Sequence, residues 1–270
     1  MTRCLWIGGA PGAGKSTIAR RLAVAEDLPL QALDLWNYDH ADRIGAPDLD
    51  ADLARGPAGA ADAFEDYAGE RMPLVAADLT GRRLGAVPAL VEGPQLHPRH
   101  RTGQPGWTVW LLPDPVRTRA AREERLAAVE QPGARARLEA LTARDALLAD
   151  RLRTAVRAAG DPWVEVGAHV DWADVAAQVR NALAPALEEA PRLPGDELGA
   201  QRAFENRTAC RQGRLWQVAA GIAELPPYPF ACECGTSGCD AVWRGTPDDY
   251  DRLTGRLVAH EDATGGGSRA

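Results

Sequence analysis

Lysine is almost missing from this chain. Of its 31 basic residues only Lys15 is a lysine; the others are arginine. A coding bias toward arginine, alanine, glycine and proline accounts for the avoidance. The lysine that survives therefore marks chemistry that a planar guanidinium cannot perform, such as fitting a compact ammonium between phosphates. Long apolar runs are missing too, which excludes a membrane-spanning helix. The opening Cys4-Leu5-Trp6-Ile7-Gly8 is too short and too soon interrupted for a signal peptide, so the expectation is a cytoplasmic protein with no membrane partner. An excess of positive charge is absent: the net charge is -7, which argues against nucleic acid as the main partner, because phosphate backbones favour basic faces.

What is present is enough for one full α/β domain and a smaller appendage, with 270 residues and a hydrophobic fraction of 45%. Short apolar segments at 4–8, 30–35, 87–91, 107–112 and 163–166 read as strands. Helical patterns fall at 16–25, from about Gly59 through 83, at 116–129, at 134–159 and at 172–187. Strands alternating with helices imply a parallel sheet covered on both faces, the three-layer architecture of P-loop proteins. The expected division is an α/β domain over 1–188 and a linker over 189–200, marked by Pro191, Pro194 and Gly195. A helix and a Cys-rich module over 201–262 and a disordered tail over 263–270 complete it.

The strongest motif is Gly9-Ala10-Pro11-Gly12-Ala13-Gly14-Lys15-Ser16, a complete phosphate-binding loop between a strand and a helix. Its glycines let successive backbone N–H groups turn toward one anion, and the following helix aims its positive end at the same place. Lys15 is expected on the β- and γ-phosphates, Ser16 on Mg²⁺, and Thr17 beside them.

In open α/β sheets, ligands sit beyond the carboxyl ends of the strands. Asp34 closes the second strand, which is expected to lie beside the phosphate-loop strand. There it would orient an acceptor hydroxyl and take its proton. Glu92 closes the third strand on the metal side, where an Asp is usual. Asp39, His40, Asp42 and Arg43 follow Asp34 as candidates for lining an acceptor pocket. Arg117, Arg119, Arg122 and Arg125 follow the fourth strand, and Arg144 lies beside Asp145 on the next helix. Arginines on a mobile lid stabilise a moving phosphoryl group and exclude water; Arg122 and Arg125 are the first candidates.

With the phosphate loop, Asp34 and the arginine segment in place, residues 1–187 resemble small P-loop kinases of the adenylate, shikimate, gluconate and chloramphenicol phosphotransferase type. Leu90-Val91-Glu92-Gly93-Pro94 is similar to the strand end of uridine kinase-like enzymes. The runs Glu92-Gly93-Pro94-Gln95-Leu96 and Trp110-Leu111-Leu112-Pro113 resemble segments of actinobacterial ATP-binding proteins. The resemblance implies ATP, Mg²⁺ and phosphoryl transfer to a small hydroxylated molecule, without naming that molecule. A different reading stays open: an ATP-binding or ATP-hydrolysing regulator whose Cys module recognises a protein partner.

In that module Cys232, Cys234 and Cys239 give C-x-C-x₄-C, and His260 follows. Three thiolates and one imidazole suit a structural Zn²⁺. Lying beyond the linker, the module is expected to be dispensable for ATP binding but needed for the stability of the tail or for contact with a partner. Cys4 and Cys210 have no partner in sequence and are expected to be buried thiols.

Overall fold

Cys4–Gly9 (β1) is buried along its whole length, as expected for a strand covered on both faces. The computed structural model describes residues 3–82, 84–100, 106–126 and 134–262, without the side chains of 106, 125, 126, 134, 261 and 262. The expected tail lies outside the described residues.

After β1 come Lys15–Ala25 (α1), Leu30–Ala32 (β2), a 3₁₀ turn at Leu33–Trp36, Asn37–Ile44 (α2), Leu49–Ala54 (α3) and Gly56–Gly81 (α4). Ala89–Glu92 (β3), Gly106–Pro113 (β4), Pro115–Leu126 (α5), Ala134–Ala159 (α6), Trp163–Val166 (β5) and Trp172–Glu188 (α7) follow. The five strands are parallel in the order β2-β3-β1-β4-β5. Helix α7 shows why such elements form: the Asp171 carboxylate accepts from the N–H groups of Ala173 and Asp174, and Val175, Val179, Leu183 and Leu187 make one buried stripe. That stripe meets Ile18 and Leu22 of α1 on one face of the sheet. Val75 and Leu79 of α4 and Leu152 and Val156 of α6 cover the other face around Trp6 and Trp110.

Three expectations are corrected. The second strand stops at Ala32, because Arg71 Nη2 donates to the Leu33 carbonyl at 2.8 Å and draws the chain into a 3₁₀ turn. β2 also pairs with β3 rather than β1, so the strand ending in Glu92 separates Asp34's strand from the phosphate-loop strand. The expected irregular stretch before Gly59 holds α2, α3 and the first turn of α4, broken at Gly45 and Arg55.

Gly195–Ala220 (α8) leads to an antiparallel pair, Tyr228–Ala231 (β6) and Val242–Gly245 (β7), then Pro247–Asp251 (α9) and Ala259–Asp262 (α10). This segment rests on the end of α1 and on β2. Arg202 donates to the carbonyls of Ala23 at 2.9 Å and Leu28 at 3.1 Å, and Glu205 Oε1 accepts from Leu30 N at 2.8 Å. Its own apolar core is small, centred on Ala209, Cys210, Phe230 and Leu257.

Candidate functional site

The phosphate loop has the backbone that its glycines permit. Gly12 and Gly14 take φ of 84° and 79°, in the left-handed region. A Cβ on Gly14 would also stand 2.2 Å from the Trp172 ring, so a side chain is excluded there on two counts. Lys15 is buried and its Nζ donates to Ala10 O at 2.9 Å, folding the ammonium back across the loop. Ser16 and Thr17 are exposed at the start of α1, where the backbone dipoles favour an anion.

Glu92 ends β3 beside this helix start. The Ser16 hydroxyl donates to its carboxylate, while Glu92 Oε2 is buried with no hydrogen-bond partner among the described residues. Burial, and then the neighbouring Asp34, push its carboxyl up to about 7; Lys15 opposes this. A hydroxyl and an under-coordinated buried carboxylate side by side are the donor set that Mg²⁺ takes. Ser16 and Glu92 therefore fit that ion.

Asp34 is exposed on the 3₁₀ turn, and its Oδ1 accepts from Gln95 Nε2 at 3.1 Å. A buried polar network backs this turn. Arg71, almost fully buried, donates to Leu33 O, to Asn37 Oδ1 at 2.5 Å and to His40 Nδ1 at 3.0 Å. His40 is fully buried and bonded to Asp78 at 2.9 Å. It is a strut behind the turn rather than a pocket-lining residue, and Arg43 is tied to the same Asp78 at 2.9 Å.

Across the phosphate loop, Arg122 and Arg144 converge on the fully buried Asp145, with Arg122 Nε at 2.5 Å and Arg144 Nη2 at 2.7 Å. Both arginines line the open cleft above Lys15 and Ser16, which spans about 1190 Å³ with its open mouth included. Arg119 pairs with Glu123 on the surface instead. The Arg125 side chain lies outside the described residues. Arg117 lies over the Trp172 ring at 5.5 Å, and both line the same cleft. A second cleft of about 850 Å³ lies between α1, the 3₁₀ turn, α8 and β6, with Trp36, Phe204 and Tyr228 in its walls. The two clefts share Ser16 and Asp34.

Sequence reasoning missed Trp172, Gln95 and Arg71 as parts of this site. Gln95 had a usable signal, two residues after Gly93 in the run beyond β3. Trp172 and Arg71 had none, because their positions depend on how α7 and α4 pack.

Beyond β6, Cys232, Cys234, Cys239 and His260 come together with their ligand atoms all within 4.8 Å of one another. Cys4 and Cys210 are buried elsewhere and form no disulfide among the described residues.

The phosphate loop between β1 and α1, at the carboxyl edge of a five-stranded parallel sheet sandwiched by helices, defines a P-loop nucleotide-binding fold. No protein-family model matches the chain, and no curated protein does. Among solved structures it is similar to a gluconokinase from Sinorhizobium meliloti 1021, at 19% identity over 68% of this chain and 93% of the other, with a TM-score of 0.38. It is similar to a sugar kinase from Janibacter sp. HTCC2649 at 15% identity, covering 71% and 100% of the two chains, with a TM-score of 0.37. The shikimate kinase from Acinetobacter baumannii in complex with shikimate is 17% identical over 68% and 94% of the two chains, with a TM-score of 0.38. Among the described residues, no helix is long and apolar enough to cross a membrane.

Proposed function

We propose that the protein is an ATP-dependent phosphotransferase acting on a small hydroxylated molecule. The observation that carries this reading is the meeting of two clefts at Ser16 and Asp34: one is lined by phosphate-binding groups and the other by aromatic side chains. A hydrolase needs room for a water only; this arrangement leaves room for a second substrate beside a carboxylate.

The triphosphate lies along residues 9–17: Gly9, Ala10, Pro11, Gly12, Ala13 and Gly14 supply the backbone cradle, and Lys15, Ser16 and Thr17 follow. The adenine rests against Arg117 and Trp172. Ser16 and Glu92 would hold Mg²⁺, which would offset phosphate charge. Asp34, fixed by Gln95, receives the acceptor's hydroxyl proton as its oxygen bonds to the γ-phosphorus. The bond from that phosphorus to the β-bridging oxygen breaks, and ADP leaves with the electron pair. Lys15, Arg122 and Arg144 stabilise the charge spread over the transferring group, and Asp145 keeps the two arginines in register. Arg125 stands on α5 with Arg122 as a further lid candidate. Cysteines that form no disulfide among the described residues suit a cytoplasmic setting.

The test is an ADP-release screen against pooled hydroxylated metabolites and aminoglycoside-, nucleoside- and sugar-type compounds. We expect release to depend on one compound and to vanish in Lys15→Ala. Equal hydrolysis in every pool would replace the kinase with an ATP-hydrolysing regulator.

A further inference from the structure

The four residues of the Cys–His group are brought together by backbone pattern. Cys232 N donates to Ala241 O at 3.0 Å and continues the β6–β7 ladder. In an extended segment, successive side chains alternate. Glu233 points inward, where its carboxylate accepts from Asn206 at 2.8 Å, Tyr250 at 2.5 Å and Leu257 N at 3.1 Å. Its neighbours Cys232 and Cys234 therefore project together on the opposite side. A turn closed by Cys239 N to Thr236 O at 3.2 Å returns the third thiol to them. The His260 Nδ1 then stands 3.4 Å from Cys232 Sγ and 4.0 Å from Cys239 Sγ. Tetrahedral zinc, with bonds of about 2.3 Å to sulfur and about 2.0 Å to nitrogen, separates its ligand atoms by roughly 3.5–3.8 Å. The group brackets that spacing.

We propose that Cys232, Cys234, Cys239 and His260 bind one Zn²⁺, and that the ion clamps this module onto the far end of the P-loop helix. The loop between Cys234 and Cys239 carries the clamp. Ser237 Oγ donates to Asp27 Oδ2 at 2.5 Å, and Gly238 N donates to Asp27 Oδ1 at 3.0 Å. Asp27 is buried just beyond α1 and holds φ at 48°, the one non-glycine residue in the left-handed region among those described. Its own carbonyl accepts from Leu193 N at 3.2 Å. A buried carboxylate on a left-handed backbone is thus held by two donors from a loop of four residues flanked by proposed metal ligands. The module's small apolar core does not fix that loop, and metal affinity supplies the missing folding energy. The helix that begins at the phosphates ends at this clamp, so the appendage supports the P-loop domain directly.

The full chain, purified without a metal-affinity resin, is analysed for zinc and for its thermal midpoint. One zinc per chain is expected, lost in Cys234→Ser and kept in Asp27→Asn. Zinc withdrawal by a chelator and Asp27→Asn each lower the midpoint, and together they lower it less than the sum of the two. X-ray absorption at the zinc edge of the wild-type chain is expected to read three sulfur ligands and one nitrogen, an observation independent of any variant's folding. A zinc-free wild-type chain, or another ligand set, overturns the site. Strictly additive losses, or a midpoint indifferent to zinc, overturn the clamp.

Discussion

Glu92→Gln separates the cost of the metal-side carboxylate from its use. In the folded chain this carboxyl is pushed up to about 7 from 4.5, chiefly by burial. The folded state then holds a proton that the unfolded state has released, so the carboxylate's contribution to stability falls as pH rises from about 4.5 to about 7 and is level above that. At about 1.4 kcal/mol per pH unit, the loss is about 3 kcal/mol. Glutamine has the same shape and nothing to ionise. The variant is therefore expected to be more stable than the wild type at pH 8 by about 3 kcal/mol, or roughly 6–12 °C in midpoint for a domain of this size. The two proteins converge toward pH 4.5. Thermal unfolding of both proteins, without nucleotide or metal, measures this across the pH range. Turnover with Mg²⁺ and ATP is expected to move the opposite way, down by about 10²-fold or more, because the ion loses an anionic ligand. A difference in midpoint that is the same at pH 5 and pH 8 would refute the buried-ionisation argument. Unchanged turnover would remove Glu92 from the metal site.

The remaining predictions concern the other parts of the cleft. Lys15→Ala and Lys15→Arg are both expected to abolish ATP turnover with circular dichroism unchanged, since a guanidinium does not replace the ammonium; a turning-over arginine variant would contradict this. Asp34→Asn should lower kcat by about 10²-fold while leaving ATP affinity as it was, which binding titrations and steady-state kinetics separate. Trp172→Ala should weaken ATP binding by about tenfold or more through the lost stacking surface, with a smaller effect on kcat; equal ATP affinity would move the adenine elsewhere.

The phosphate loop was legible in sequence because its chemistry is local: eight adjacent residues carry glycines, lysine and serine in fixed order. β1 and β3 were legible for a similar reason, since strands buried on both faces read as short apolar runs. The neighbour of each strand was not. Leu30–Ala32 carries no mark that it pairs with β3 rather than β1, because sheet order is set by crossovers far apart in the chain. Asp34 was legible as a strand-end acid, yet its perch on a 3₁₀ turn depends on Arg71, 37 positions on and buried by the packing of α4. The helices before Gly59 were hidden by shortness: α2 and α3 are too brief to show a full period between their breaks. The arginines were visible as a group, but only the fold distinguishes Arg122, aimed at Asp145, from Arg119, spent on Glu123.

The place where α8 lies has a consequence for the sheet itself. β2 is the outermost strand on its side, and an outermost strand offers bare N–H and C=O groups to any other chain that can add to it. Here those groups are occupied from within. Leu30 N is held by Glu205, the carbonyl of Leu28 by Arg202 and that of Leu30 by Arg82 at 3.4 Å. A side-chain rail thus does the work of a further strand without being one. A chain cut after α7 would keep its phosphate loop and all five strands, but Leu30 N on the outer strand would lose Glu205 and stand bare to its neighbours. Such a fragment would self-associate before its chemistry could be assayed, and the cause would be an exposed edge rather than a missing catalytic part.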